Sequence, residues 1–208
     1  LGSFVNPEKV PQMADTDKLF AYYNAVGRKP SGVILSGLVL NEKGLERGLT
    51  CGVEMFCMGV SASETHSRKN TGMSCDEALG RIIPMATRAV AERKRVQVSV
   101  QSAFGCGFEG PISSEKVIGI VKEYLAAGIR NISLADTAGH ANPIQVEHLF
   151  GQIRRLDIVA RTGGELPEPA AVPVELVQME MRLAARPVGK QNPPAIVVYL
   201  RVPHGTVG

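Results

Sequence analysis

Residues 96–139 read VQVSVQSAFGCGFEGPISSEKVIGIVKEYLAAGIRNISLADTAG, and this stretch decides the fold. It opens with an apolar, β-branched run over residues 96–103, followed by the glycine-rich loop from Gly105 to Pro111. A helix starting at Ser113 or Ser114 is then predicted to reach Ala127, where Gly128 supplies a left-handed stop. A second apolar strand over residues 131–135 ends abruptly at Asp136, Thr137 and Gly139. Strand, crossover helix, strand is the sequence form of a parallel pair.

The same unit recurs outward in both directions. Toward the C-terminus, Asn142-Pro143 gives an N-cap with proline at the first helical position, opening a helix to about Leu156. Toward the N-terminus, Ser74 and Glu77 form a capping box for a helix to about Lys94, which Pro84 is expected to bend. Before it lie an expected strand over 53–60 and a helix over 42–50 capped by Asn41. The continuous apolar run 31–40 (SGVILSGLVL) suits a strand buried on both faces. A helix over 17–26 stopped by Gly27, with Pro30 beyond, and a short strand over 1–5 complete the series. Five strand–helix alternations predict a parallel α/β fold, either a doubly wound sheet or a TIM barrel.

The pattern stops after about Asp157. Seven of the 13 prolines fall between Pro167 and Pro203, the composition of a loop-rich tail. Within it, residues 175–185 read as one helix and 195–202 as one strand. A boundary is placed at 157–165, with residues 1–157 the repeat and 158–208 a divergent tail.

Composition narrows the functional classes. At 208 residues, 44% hydrophobic and 21% charged, the chain can bury a core. The net charge is +3 without a basic block, which disfavours nucleic acid as partner. No apolar run reaches the roughly 18 residues of a membrane span, and the first residues lack the pattern of an export signal. A soluble, cytoplasmic protein is expected. The four cysteines form no CxxC pair, against a disulfide scaffold or structural zinc. Neither GxGxxG nor GxxxxGK[ST] occurs, and His140 and His148 are not at a ligand spacing of three or four.

Ligands of parallel α/β folds sit at the carboxyl ends of the strands. The residues there are Ser3 and Asn6, the loop carrying Cys106 and Glu109, and Ser133 to His140. By type, Ser3 and Asn6 fit a turn, and Glu109 a solvated loop tip. Asp136 either orients a substrate hydroxyl, binds a cation through water, or caps the following turn. Residues 64–70 (ETHSRKN) read as a solvated polar loop, with an anionic ligand as the alternative. Cys57 and Cys106 lie at neighbouring strand ends and fit small buried side chains.

Four blocks in order carry a further signal. Residues 2–15 (GSFVNPEKVPQMAD), 59–70 (GVSASETHSRKN), 102–113 (SAFGCGFEGPIS) and 132–139 (ISLADTAG) resemble the strand-end motifs of 3-hydroxy-3-methylglutaryl-CoA lyases. The resemblance implies an incomplete (β/α)8 barrel holding about strands two to six of eight. It implies a divalent cation, Mg2+ or Mn2+, and cleavage of the acyl-CoA substrate into acetyl-CoA and acetoacetate. By the same match Asp136 is the catalytic candidate, Ser3, Ser133 and Thr137 lie around the acyl group, and Cys106 and Glu109 shape the mouth.

Departures from the family pattern matter equally. The Arg-Asp strand of the family would precede Leu1, and no His-x-His pair occurs. Gly163-Gly164-Glu165 has Glu where the family's Gly-Gly-Cys-Pro loop has its cysteine. The usual metal ligands are therefore missing from this sequence, and no metal-ligating residue is assigned. The alternative is a non-catalytic fragment or interaction module. Open sheet edges suggest a homo-oligomer.

Overall fold

The computed structural model describes residues 1–162, 180–183 and 196–199. Its strands are β1 (Gly2–Ser3), β2 (Ser36–Leu38), β3 (Met55–Ser61), β4 (Arg95–Gln101) and β5 (Ile132–Asp136). The helices are α1 (Thr16–Asn24), α2 (Glu42–Thr50), α3 (Glu64–Thr71), α4 (Cys75–Ala91), α5 (Ser114–Ala126) and α6 (Pro143–Thr162). The five strands form a parallel sheet in chain order, as expected when each strand is followed by a crossover helix. The parallel α/β fold is the one predicted from the alternation, and it is of the incomplete TIM-barrel type that the resemblance implied. Helix α6 runs to Thr162, beyond its expected end at about Leu156.

Two compact units share these elements. One comprises Leu1–Gly59 and Leu79–Val98, the other Val60–Ala78 and the chain from Ser99 onward, so β3 and β4 each pass from one to the other.

In the first unit, β1 pairs with β2 and β2 with β3, Gly37 lying opposite both Gly2 and Phe56. Close approach of α2 depends on two glycines. A Cβ on Gly44 would lie 2.8 Å from the Phe4 carbonyl oxygen, and one on Gly48 2.5 Å from the Phe56 ring. The buried residues of this unit include Phe4, Phe20, Val39, Leu45, Val53 and Phe56. Arg47 closes its rim by bonding both Asp17 carboxylate oxygens, at 2.9 and 3.0 Å.

In the second unit, cap chemistry sets the helix starts. The Ser74 N–H donates to the Glu77 carboxylate at 2.7 Å and the Glu77 N–H to Ser74 Oγ at 3.1 Å. Asn142 and Gln145 repeat the exchange at the start of α6. Gly128 takes φ +77° beyond α5, the left-handed stop expected there. Tyr124 is fully buried on α5, its hydroxyl donating to the Ser99 carbonyl at 3.3 Å.

Four local expectations need correction. Residues 64–70 are helix rather than loop: Ser63 Oγ caps α3 by accepting from the His66 N–H at 3.0 Å, and Gly72 ends it at φ +77°. Glu64 also accepts from the Cys75 N–H at 3.2 Å, tying α3 to the start of α4. The run 31–40 yields only a three-residue strand, and Val33 and Ile34 are 43% and 38% exposed instead of buried. Residues 1–5 likewise shorten to the two-residue β1. In the tail, β6 (Glu180–Leu183) stands where a helix over 175–185 was expected, and β7 (Ile196–Tyr199) where a strand was. Strand β7 pairs antiparallel with both β5 and β6. The remaining residues of both tail predictions lie outside the described residues, as does the Gly163-Gly164-Glu165 stretch.

Candidate functional site

The carboxyl ends of β3, β4 and β5 lie together in the second unit, and polar side chains bind them into one rim. Sheet contacts continue just past the strands: the Ala62 N–H donates to the Gln101 carbonyl at 2.8 Å, and the Ala103 N–H to the Ala135 carbonyl at 3.1 Å. Beyond these bonds the backbone leaves the sheet and side chains take over.

Asp136 ends β5 with its side chain turned back onto the following turn. It is 1% exposed, and its two carboxylate oxygens accept separately from the His140 and Ala141 N–H groups, each at 2.9 Å. Of the three roles left open for it, the cap is therefore occupied. Each oxygen has a further lone pair beyond these bonds. Thr137 Oγ1 accepts from the Ser102 N–H at 2.8 Å, tying the end of β5 to the end of β4. Ser133 is buried within β5.

The loop from Gly105 to Pro111 is pinned as a small hairpin. Cys106 and Gly110 exchange both backbone hydrogen bonds, at 2.7 and 2.8 Å. This brings the Cys106 thiol and the Glu109 carboxylate onto the start of α3. The Ser63 hydroxyl donates to Cys106 Sγ at 3.0 Å, and the Phe108 N–H points at the same sulfur from 3.4 Å. The Thr65 N–H donates to Glu109 Oε1 at 2.5 Å. At the outer edge the Lys69 ammonium sits 4.1 Å from the centre of the exposed Phe108 ring, a cation–π contact.

These bonds set the charges of the rim. Burial pushes the Cys106 thiol up, but the Ser63 hydroxyl and the Phe108 and Glu109 amides outweigh it and hold the group below the usual thiol value. Burial also acts against the Glu109 carboxylate, and the Thr65 amide and hydroxyl, the Ser63 hydroxyl and the Lys116 charge bring it below its ordinary value. Burial lowers His66, with the nearby Glu109 charge opposing. The other thiols move the opposite way: burial raises Cys51 and Cys57 and takes Cys75 up to about 12. Of the four thiols, Cys106 is thus expected to ionise first. Thiolate absorbance followed against pH, with Cys106→Ser as the subtraction, checks this, and Ser63→Ala should move the transition upward. An unmoved transition would mean that the Ser63 hydroxyl does not stabilise the thiolate.

Residues 9–158 match the HMGL-like family model. The chain belongs to this family of lyases. It is 35% identical to the hydroxymethylglutaryl-CoA lyase of Bacillus subtilis (strain 168) over 145 residues, 70% of this chain and 47% of that protein. A Pseudomonas aeruginosa 3-hydroxy-3-isohexenylglutaryl-CoA/hydroxy-methylglutaryl-CoA lyase is 33% identical over 139 residues, 67% of this chain and 45% of that protein. Among solved structures, an HMG-CoA lyase from Acinetobacter baumannii, in complex with coenzyme A and 3-methylmalate, superposes with a TM-score of 0.67 at 33% identity. That match covers 74% of this chain and 49% of the other. The chain thus spans about half the length of the lyases it matches.

Of the residues singled out from the sequence, Ser133, Asp136, Thr137, Cys106 and Glu109 all belong to the second unit. Ser3 belongs to the first, where it is buried beside Thr16: its N–H donates to Thr16 Oγ1 at 3.2 Å. Ser63, Thr65, Ser102 and His140 complete the rim; Thr65 and His140 lie in the stretches 64–70 and 133–140 noted in the sequence, whereas Ser63 and Ser102 were not singled out. Ser63 lies within the 59–70 motif block, but its partner Cys106 is 43 residues away, beyond any local pattern. Cys57 and Cys106 are both free thiols.

The lyase resemblance implies a divalent cation, and the residues present can be tested for it. Among the described residues no group of three or more His, Cys, Asp or Glu side chains is placed to hold a metal ion. Both Asp136 oxygens are turned to backbone amides. The described residues therefore do not fit the cation. Nor is any described helix long and apolar enough to cross a membrane.

Proposed function

We propose that this chain carries the acyl-group site of a carbon–carbon lyase acting on a 3-hydroxy-3-methylglutaryl-CoA-type thioester, with acetyl-CoA and acetoacetate as products. The observation that supports the reading best is the rim itself, in which Asp136, Thr137, Cys106 and Glu109 are held at three adjacent strand ends by named hydrogen bonds. Parallel α/β barrels bind their substrates at this end of the strands.

The chemistry asks for four things. A base takes the proton of the tertiary hydroxyl, the oxygen's electrons form the ketone, and the carbon–carbon bond pair moves to the carbon beside the thioester. The resulting enolate then takes up a proton to give acetyl-CoA. Asp136 is the carboxylate at the end of β5 with lone pairs left to meet the hydroxyl, Thr137 is the hydroxyl-bearing residue next to it, and Ser133 is assigned to the acyl group by the family match. Cys106 and Glu109 line the mouth. In this setting a donor aimed at a developing negative oxygen is worth more than one aimed at the ground state.

A second reading, an acyl-CoA-binding module without turnover, is favoured by the lack of a cation-holding cluster among the described residues. One experiment separates the two. The purified protein is titrated with 3-hydroxy-3-methylglutaryl-CoA and with acetyl-CoA by calorimetry, and acetoacetate is measured after incubation with Mn2+. Both readings expect the hydroxylated thioester to bind more tightly than acetyl-CoA. Acetoacetate above the blank supports the lyase, and binding without release supports the module. Equal or absent binding of the two thioesters would overturn both.

A further inference from the structure

Ser102, just past the end of β4, carries two local costs at once. Its φ is +56°, a left-handed conformation that non-glycine residues seldom take. Its hydroxyl oxygen is buried without a hydrogen-bond partner among the described residues, which native structures rarely tolerate without a reason. Strain of this kind persists where the surrounding structure holds it in place, and it concentrates at functional sites.

The conformation has a visible result. In a regular strand successive amides point to opposite sides, because the ladder alternates with the pleat. Here two successive amides turn to the same neighbour: the Ala103 N–H donates to the Ala135 carbonyl at 3.1 Å, and the Ser102 N–H to Thr137 Oγ1 at 2.8 Å. The second bond matters chemically. A threonine hydroxyl has one proton to give and two lone pairs to accept with. With one lone pair filled by a backbone N–H, the proton of Thr137 stays available for an acceptor outside the rim. Thr137 is also only half-buried, unlike Asp136 beside it.

We propose that Ser102 is a positioning residue for substrate binding: its left-handed backbone places an amide on Thr137 Oγ1 and so presets the Thr137 hydroxyl as a donor to an oxygen of the acyl-CoA substrate. The inference rests on the acyl-site reading above, and it assigns the work to the backbone of Ser102, not to its hydroxyl. Glycine at 102 therefore keeps the function, since it adopts positive φ freely and retains the N–H. A β-branched residue, for which positive φ is a genuine outlier, loses it.

The test is a binding cycle with 3-hydroxy-3-methylglutaryl-CoA. Ser102→Val and Thr137→Val should each weaken binding by about five- to tenfold, the size of one lost hydrogen bond. Ser102→Gly should restore wild-type affinity, and Ser102→Val combined with Thr137→Val should bind no worse than Thr137→Val alone. Additive losses in the double variant, or unchanged affinity in Ser102→Val, would refute the coupling. Should Ser102→Val not fold, amide NMR decides: the Ser102 N–H signal should shift when the thioester binds wild-type protein and stay still in Thr137→Val. A signal that moves equally in both, or in neither, rules the role out. If wild-type protein binds no thioester, the acyl-site reading fails and this inference with it. Wild-type binding that is indifferent to position 102 removes the inference alone.

Discussion

Asp136→Asn is expected to lower the thermal midpoint by several degrees and to weaken binding of 3-hydroxy-3-methylglutaryl-CoA beyond what the lost stability explains. The wild-type carboxylate offers an acceptor to each of two backbone donors, the His140 and Ala141 N–H groups at 2.9 Å, in a site from which water is excluded. Asparagine has the same shape but only one acceptor oxygen, so its NH2 must face one of those amides, donor against donor. Leaving a buried backbone N–H without an acceptor costs about 1–3 kcal/mol, and each kcal/mol moves the midpoint of a chain this size by about 2–4 °C. The binding loss is a separate effect. If Asp136 were a cap alone, the variant measured well below its midpoint would bind the thioester as wild type does. Calorimetric unfolding and titration on the same preparation separate the two contributions. An unchanged midpoint would show that the two amide bonds do not hold the turn.

Much of the fold was legible because its signals are local. The capping box at Ser74, the N-cap at Asn142 and the left-handed stop at Gly128 all appear where the residue types call for them. What was misread depended on partners distant in sequence. Residues 31–40 look like a buried strand because an apolar run does not reveal which of its members find a neighbour; only Ser36–Leu38 pair with β1 and β3. Helix α3 shows no apolar periodicity and is held by a cap, a Glu64 bond to the next helix and a left-handed glycine. The site divides in the same way. Motif blocks located Asp136, Thr137, Cys106 and Glu109, but the residues that hold them, Ser63 and Ser102, act across 43 and 35 positions of sequence. The alternatives for Asp136 stayed open for that reason too, since a carboxylate at a strand end looks the same whether its oxygens face amides or a substrate.

Gly105→Ala should be the most damaging single substitution in the loop from Gly105 to Pro111, and a series of its three glycines makes the cause measurable. Gly105 has φ +151°, and a Cβ there would lie 2.5 Å from His140 Nδ1, 2.9 Å from His140 Cβ and 3.0 Å from its Cγ. Turning the imidazole clears the ring nitrogen but not Cβ, which the backbone fixes. The backbone of His140 must therefore move, and its N–H is one of the two donors that hold Asp136. Backbone strain of about 1–3 kcal/mol adds to that displacement, so a total of about 2–4 kcal/mol is expected, within the range of severe single substitutions. Gly110 also has a left-handed φ, +75°, but open space around it, so alanine there should cost only the backbone term of about 1–2 kcal/mol. Gly107 has neither constraint, and alanine there should be neutral or mildly stabilising through the unfolded chain. The order of destabilisation by denaturant unfolding should be Gly105 above Gly110 above Gly107. Thioester binding should fall sharply only for Gly105→Ala, because only that change reaches the Asp136 carboxylate; equal binding losses at Gly105 and Gly110 would place the loop's own shape, not its contact with His140, in control of the site.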